Sequence, residues 1–158
     1  ATPTAGAASL TAGPSAPQLA ASGTAPTAAG AAAFVRYWFE ALNYAVATGR
    51  TGPLSAASSP ACRACAAVLA AVSKGYQSGA RVQGGQYTLR QATTDNFFST
   101  DQPKLGVVYD RSPYSIVSPG GDQLESSPGR TFANCMVLLE QVDGRWRLRE
   151  VSADKPLA

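Results

Sequence analysis

The chain has 158 residues, 45% apolar and 15% charged, with a net charge of +3 and no histidine. That is enough apolar material for one domain of ordinary size plus a tail, and the weak, unclustered positive balance does not suit a nucleic-acid binder. The missing histidine removes Ser-His-Asp and Cys-His catalysis within the chain, together with the commonest zinc ligand and pH switch.

Residues 1–27 consist of Ala, Thr, Ser, Pro, Gly and two leucines with one glutamine, and carry no charge. Pro3, Pro14, Pro17 and Pro26 punctuate the stretch. Such a composition does not offset the entropy of ordering, so it predicts a flexible linker, suited to tethering a domain to an envelope. The chain starts abruptly in this low-complexity sequence without a signal peptide, which reads as a processed form. No run of about 18 uncharged apolar residues suits a membrane span.

Thr27 can cap a helix beginning near Ala28 and closed by Gly49. Phe34, Trp38, Ala41, Leu42, Ala45 and Val46 recur along it at helical spacing, with Val35 and Phe39 widening the stripe. Thr51-Gly52-Pro53-Leu54 predicts a short helical turn with Pro53 in its first position. Ser59 and Pro60 then read as cap and first residue of a helix ending at Gly79. Its apolar stripe is Cys62, Cys65, Leu69, Val72 and Tyr76.

Beyond Gly79 the period changes to two. Tyr87 and Leu89 alternate with polar residues in a strand ending near Thr93, and Leu105, Val107 and Tyr109 mark the next. Ser112-Pro113 breaks that run before Tyr114–Val117 resumes it. Gly84-Gly85 reads as a bulge or turn, and residues 118–130 as a polar loop able to act as a lid. Residues 131–142 are apolar on both parities, with Phe132, Met136 and Leu138 on one face and Ala133, Cys135, Val137 and Leu139 on the other. That pattern predicts a strand covered on both sides, or one at the centre of a curved sheet. Asp143-Gly144 is a strong hairpin signal. The last strand sends Trp146 and Leu148 inward and Arg145, Arg147 and Arg149 outward, a basic stripe favoured as the solvent face of an edge strand, with contact to acidic lipid or a polyanion as the rival.

Helices followed by antiparallel strands predict an α+β domain over residues 28–153, with N-terminal helices on a curved sheet and a short tail at 154–158. The long first helix, the two helical pieces after it and the closing Val142-Asp143-Gly144-Arg145-Trp146 hairpin resemble the nuclear transport factor two-like, SnoaL-like cone fold. Phe34-Val35-Arg36-Tyr37-Trp38, Leu42-Asn43-Tyr44-Ala45, Thr48-Gly49 and Ser58 to Cys65 look more narrowly like a family of actinobacterial lipoproteins of unknown function. The likeness runs over about residues 30–153. It implies an exported, lipid-anchored location in the cell envelope and assigns no activity.

Cys62-Arg63-Ala64-Cys65 can serve three chemistries. A structural disulfide in an oxidising compartment is favoured. Thiol exchange is the rival, but the motif lacks the strand–helix setting of thioredoxin-type sites. Zinc lacks ligands, since only Cys135 remains. Cys135 reads as a small buried hydrophobe.

Cone folds often enclose a cavity between helix and sheet. Phe34, Trp38, Leu42, Tyr87, Tyr109, Tyr114, Phe132, Met136 and Trp146 are the expected lining. Glu40, Asp95, Asp110 and Asp122 are the acids open to catalysis there. The favoured reading is a non-enzymatic binding or scaffold module for an apolar small molecule or a cell-envelope protein. A second copy meeting the sheet face would make a homodimer. The membrane enters only through an upstream anchor, and no residue set points to a cofactor or a metal. The rivals are a carboxylate-using isomerase or cyclase and a thiol–disulfide oxidoreductase using Cys62 and Cys65.

Overall fold

The first long helix, α1 (Ala28–Thr48), is set at both ends by its own residues in a computed structural model. The Thr27 hydroxyl accepts from the Gly30 amide at 3.0 Å. Gly49, at φ 75°, returns its amide to the Ala45 carbonyl. A side chain on Gly49 would meet the Tyr76 ring at 2.5 Å, so space as well as backbone requires glycine there. The structure describes residues 14–94, 98–101 and 103–152.

Helix α2 (Gly52–Ala57) forms as its composition predicts, but begins one residue before Pro53, which takes its second position. Helix α3 (Arg63–Gln77) begins later than its sequence signals suggest. Cys62 is its cap, and Pro60 lies in the preceding turn. The reason is a competing use of Ser58 and Ser59. Ser58 forms a parallel bridge to Leu148, and the Ser59 amide donates to the Leu148 carbonyl at 2.8 Å. These residues cover the edge of the last strand before a helix can start. On α3 only Cys65 is buried, while Leu69, Val72 and Tyr76 are half-buried.

The strands are β1 (Arg81–Gly84), β2 (Tyr87–Thr93), β3 (Lys104–Arg111), β4 (Tyr114–Val117), β5 (Gln123–Ser127), β6 (Arg130–Val142) and β7 (Arg145–Val151). They form two antiparallel sheets, β2-β3-β6-β7 and β1-β4-β5. The smaller sheet continues three strands of the larger one across a crease. Gly84-Gly85, Ser112-Pro113 and Pro128-Gly129 lie along that crease. Gly84 and Gly85 have φ of 75° and 71°, and a side chain on Gly84 would run into the Pro113 carbonyl. Within residues 118–130, expected as a loop, Gln123–Ser127 form β5 and Arg130 opens β6, which leaves a turn before β5 and Pro128-Gly129 after it.

Each ladder of the larger sheet carries one register shift. The extra residues are Arg90 on β2, one of Ala133-Asn134 on β6 and Arg149 on β7. Such bulges bend strands and increase twist. They also change which parity faces inward. Phe132 and Cys135 therefore both face α1, although simple alternation separates them. Met136 is 47% exposed on the opposite face. So β6 lies inside a curved sheet with Cys135, Val137 and Leu139 buried under α1, and its second face is uncovered among the described residues.

The core joins Phe34, Val35, Trp38, Phe39 and Leu42 of α1 to Leu105, Val107, Val137, Leu139, Trp146 and Leu148 of the sheet. Few helices packed on antiparallel sheets make this an α+β fold. The domain boundary drawn at residue 28 leaves out chain that packs with the core. Leu19 is half-buried against it, a short 3-10 turn follows at Ala21–Thr24 with Gly23 buried, and the Trp146 indole donates to the Ala25 carbonyl at 2.9 Å. Residues 1–13 of the linker and the 154–158 tail lie outside the described residues. Among the described residues, no helix is long and apolar enough to cross a membrane.

Candidate functional site

Cys62 and Cys65 are joined as a disulfide, and each residue is 1% exposed. The Cys62 sulfur accepts from the Cys65 amide at 3.1 Å, and the Cys65 sulfur lies 3.9 Å from the Leu148 carbonyl oxygen. The bridge thus pins the start of α3 beneath the β7 edge. Buried in this way, the sulfurs are closed to an incoming thiolate. Cys135 keeps its thiol, buried beside Tyr109 with a hydrogen bond between them. No group of side chains suited to a metal converges among the described residues.

Of the residues expected to line a cavity, Phe34, Trp38, Leu42 and Trp146 are core members, each 4% exposed or less. Tyr87, Tyr109 and Phe132 form an aromatic row on the inner face, packed against Phe39 of α1. Ring centres are 4.9 Å apart for Phe39 and Tyr109 and 4.6 Å for Tyr109 and Phe132, which stack. Burial, then the neighbouring Cys135 and Tyr87, pushes the Tyr109 hydroxyl well above the ordinary tyrosine value. Tyr114 sits across the crease, half-buried, under the Arg111 guanidinium at 4.9 Å. Met136 stands apart on the outer face. The structure thus places Phe34, Trp38, Leu42 and Trp146 in the core and Tyr87, Tyr109 and Phe132 in an aromatic wall against it, and leaves Tyr114 and Met136 outside both.

The acids do not converge on that face. Glu40 and Asp122 are exposed. Asp110 points outward, accepting from Thr131 at 2.8 Å and Arg90 at 2.6 Å, and these bonds hold its carboxyl below the usual carboxylate value. Asp95 lies outside the described residues.

A cleft of about 410 Å³ opens instead at the free edge of β7. It begins where the cover supplied by Ser58 and Ser59 ends. Phe34, Tyr37 and Trp146 form its aromatic floor, Leu19 and Ala57 its walls, and Arg145 and Arg147 its rim. Its lining includes no carboxylate. Neither arginine is in an ion pair among the described residues. Two of the expected lining residues, Phe34 and Trp146, therefore line a pocket. Arg145 and Arg147 read in sequence as part of a basic stripe, favoured as the solvent face of an edge strand over a contact for acidic lipid or a polyanion. The signal that could have singled them out is their alternation with Trp146 on a strand left partly uncovered. Leu19 carried no signal beyond being one of two bulky residues in a low-complexity stretch.

A larger cleft, about 630 Å³, lies at the other end of the sheet near Lys104, Glu140 and Arg149. Its charges are mixed in sign, and Glu140 and Arg149 approach to 4.0 Å. That lining suits water better than an apolar ligand.

A family model described as "Family of unknown function (DUF6318)" matches residues 11–152. No curated protein matches the sequence. Among solved structures, the intermembrane space region of chloroplast protein ARC6 is similar with a TM-score of 0.56 at 17% identity, covering 80% of this chain and 95% of that one. Aln2 from a Streptomyces species gives a TM-score of 0.46 at 16% identity, over 77% of this chain and 87% of that chain. A periplasmic fragment of TraM gives 0.31 at 14% identity, over 77% and 83%. The first likeness is one of fold alone, and the two lower scores carry no argument.

Proposed function

The chain belongs to the DUF6318 family, and from that premise we propose that it is an exported, non-enzymatic domain that binds an apolar molecule with an anionic end. The observation that carries this reading is the cleft at the β7 edge, where an aromatic floor meets two unpaired arginines and no acid. Its volume falls in the range of small-molecule sites, which are mostly apolar with a few placed polar groups. Arginine is the side chain suited to a planar oxyanion at the mouth of such a site.

The buried disulfide supports an oxidising, extracytoplasmic compartment. With it stand the finer expectations of a lipid-anchored actinobacterial protein and a cone-type fold. The enzymatic rivals have less behind them. No nominated acid with a described position reaches the inner face, and the paired sulfurs are covered.

The test is a titration with decanoate, below its micellar concentration, followed by tryptophan fluorescence. Saturable binding is expected, weakened about tenfold by Arg147→Ser, in line with the loss of one charge-assisted contact of about 1.5 kcal/mol. Decanol should bind more weakly than decanoate. Absence of saturation, or equal binding of decanol and decanoate, would overturn the proposal.

A further inference from the structure

We propose that Arg111 and Arg130 form a second site, which takes a small oxyanion of the carboxylate or phosphate-monoester class. This site is separate from the β7 cleft and does not depend on it. The two arginines are directly opposite one another in the β3–β6 ladder. Opposed residues share a face, and like charges placed so are destabilising. Neither arginine forms an ion pair among the described residues. Glu125, on the adjoining strand β5, accepts from the Tyr114 hydroxyl at 2.6 Å.

Both guanidinium groups are held over rings instead. Arg111 lies 4.9 Å from the centre of Tyr114 and 5.9 Å from Phe132, and Arg130 lies 4.6 Å from Phe132. Stacking of this kind fixes the planes of the two forks but leaves their charge in place. Arg111 is anchored further, with one terminal nitrogen 2.9 Å from the Ser127 hydroxyl and 3.3 Å from the Pro128 carbonyl. Its Nε is buried without a hydrogen-bond partner. A buried donor left without an acceptor is costly, and a native structure rarely keeps one without a use.

The opposed pair and the fixed planes share a chemical complement. A planar or tetrahedral oxyanion bridging the two forks would neutralise the pair and accept from several N–H groups at once. Tyr87 is the cross-strand partner of Arg111 on β2.

The experiment is isothermal titration of the full chain with benzoate and, separately, inorganic phosphate, at constant ionic strength balanced by chloride. Saturable binding of at least one is expected. Stronger benzoate binding identifies a carboxylate ligand, and stronger phosphate binding a phosphate monoester. Arg130→Gln should weaken the preferred anion about tenfold or more, and its exposed position makes folding of the variant a small concern. Arg111→Lys, which keeps the charge and loses the fork, should weaken it too. Arg147→Ser should leave it unchanged, which separates this site from the cleft. No saturation with either anion at millimolar concentration would overturn the proposal. So would binding indifferent to both the Arg130 and the Arg111 substitutions.

Discussion

Replacing Ser58 with alanine should cost far more than one hydroxyl on a small residue suggests. Ser58 is 6% exposed and Trp38 is 4% exposed. The Trp38 indole donates to the Ser58 hydroxyl at 3.0 Å, and that hydroxyl donates to the Leu54 carbonyl at 2.7 Å. Ser58→Ala leaves the indole N–H buried without an acceptor and takes a donor from the carbonyl. An unsatisfied buried donor costs about 1–3 kcal/mol. Taking about 2 kcal/mol, the melting midpoint of a domain this size should fall by about 4–8 °C. Urea unfolding followed by circular dichroism reads the same loss directly. The reasoning is separable from general damage by a second background. In Trp38→Phe the N–H is already gone, so Ser58→Ala should cost about 1 kcal/mol less there than in the native chain. Equal losses in both backgrounds, or a loss under about 0.5 kcal/mol in the native chain, would refute it. The relay matters beyond stability, because Ser58 and Ser59 also cover the β7 edge beside the cleft.

Intact mass with and without reductant should differ by two hydrogens. Cys62→Ser should lower stability by about 2 kcal/mol, the loop-entropy value for so short a ring, as read by urea titration. Tyr109 gives an alkaline signature. Burial, with Cys135 and Tyr87 beside it, raises its folded-state pKa above the unfolded value. Its contribution is therefore full below about pH 10, the ordinary tyrosine value, and is lost as pH rises toward the higher folded value. Tyr109→Phe should flatten that alkaline loss, measured as unfolding free energy against pH. Removing residues 1–13 should leave thermal stability unchanged, whereas removal through Ala25 should lower it, since Leu19 packs on the core and the Ala25 carbonyl accepts from the Trp146 indole.

Much of the frame is legible in the sequence because it depends on local chemistry. Thr27 and Gly49 bracket α1 through contacts within one turn. Asp143 and Gly144 make the last hairpin with φ of 52° and 73°. What escaped depends on distant partners. β5, Gln-Leu-Glu-Ser-Ser, has little strand propensity and exists because β4 pairs with it. The bulge at Ala133-Asn134 reverses the parity of β6, so counting by twos placed Met136 beside Phe132 when only Phe132 faces inward. The candidate site was harder still. Its floor was visible as aromatic core residues, but its walls come from Leu19 and Ala57, and its rim from arginines that alternation alone marks as solvent-facing. No short motif announces a pocket assembled from the edge of a strand, a helix and a segment before the first helix.

The central claim is that the β7-edge cleft binds an apolar anion, and nuclear magnetic resonance mapping tests it most directly. Decanoate added to the labelled protein should shift the Trp146 indole, the Tyr37 and Phe34 ring signals and the Arg145 and Arg147 side chains, with one common saturation curve. Shifts centred on Met136 and Leu138, across the sheet on its outer face, would contradict the account, as would shifts scattered over the surface without saturation.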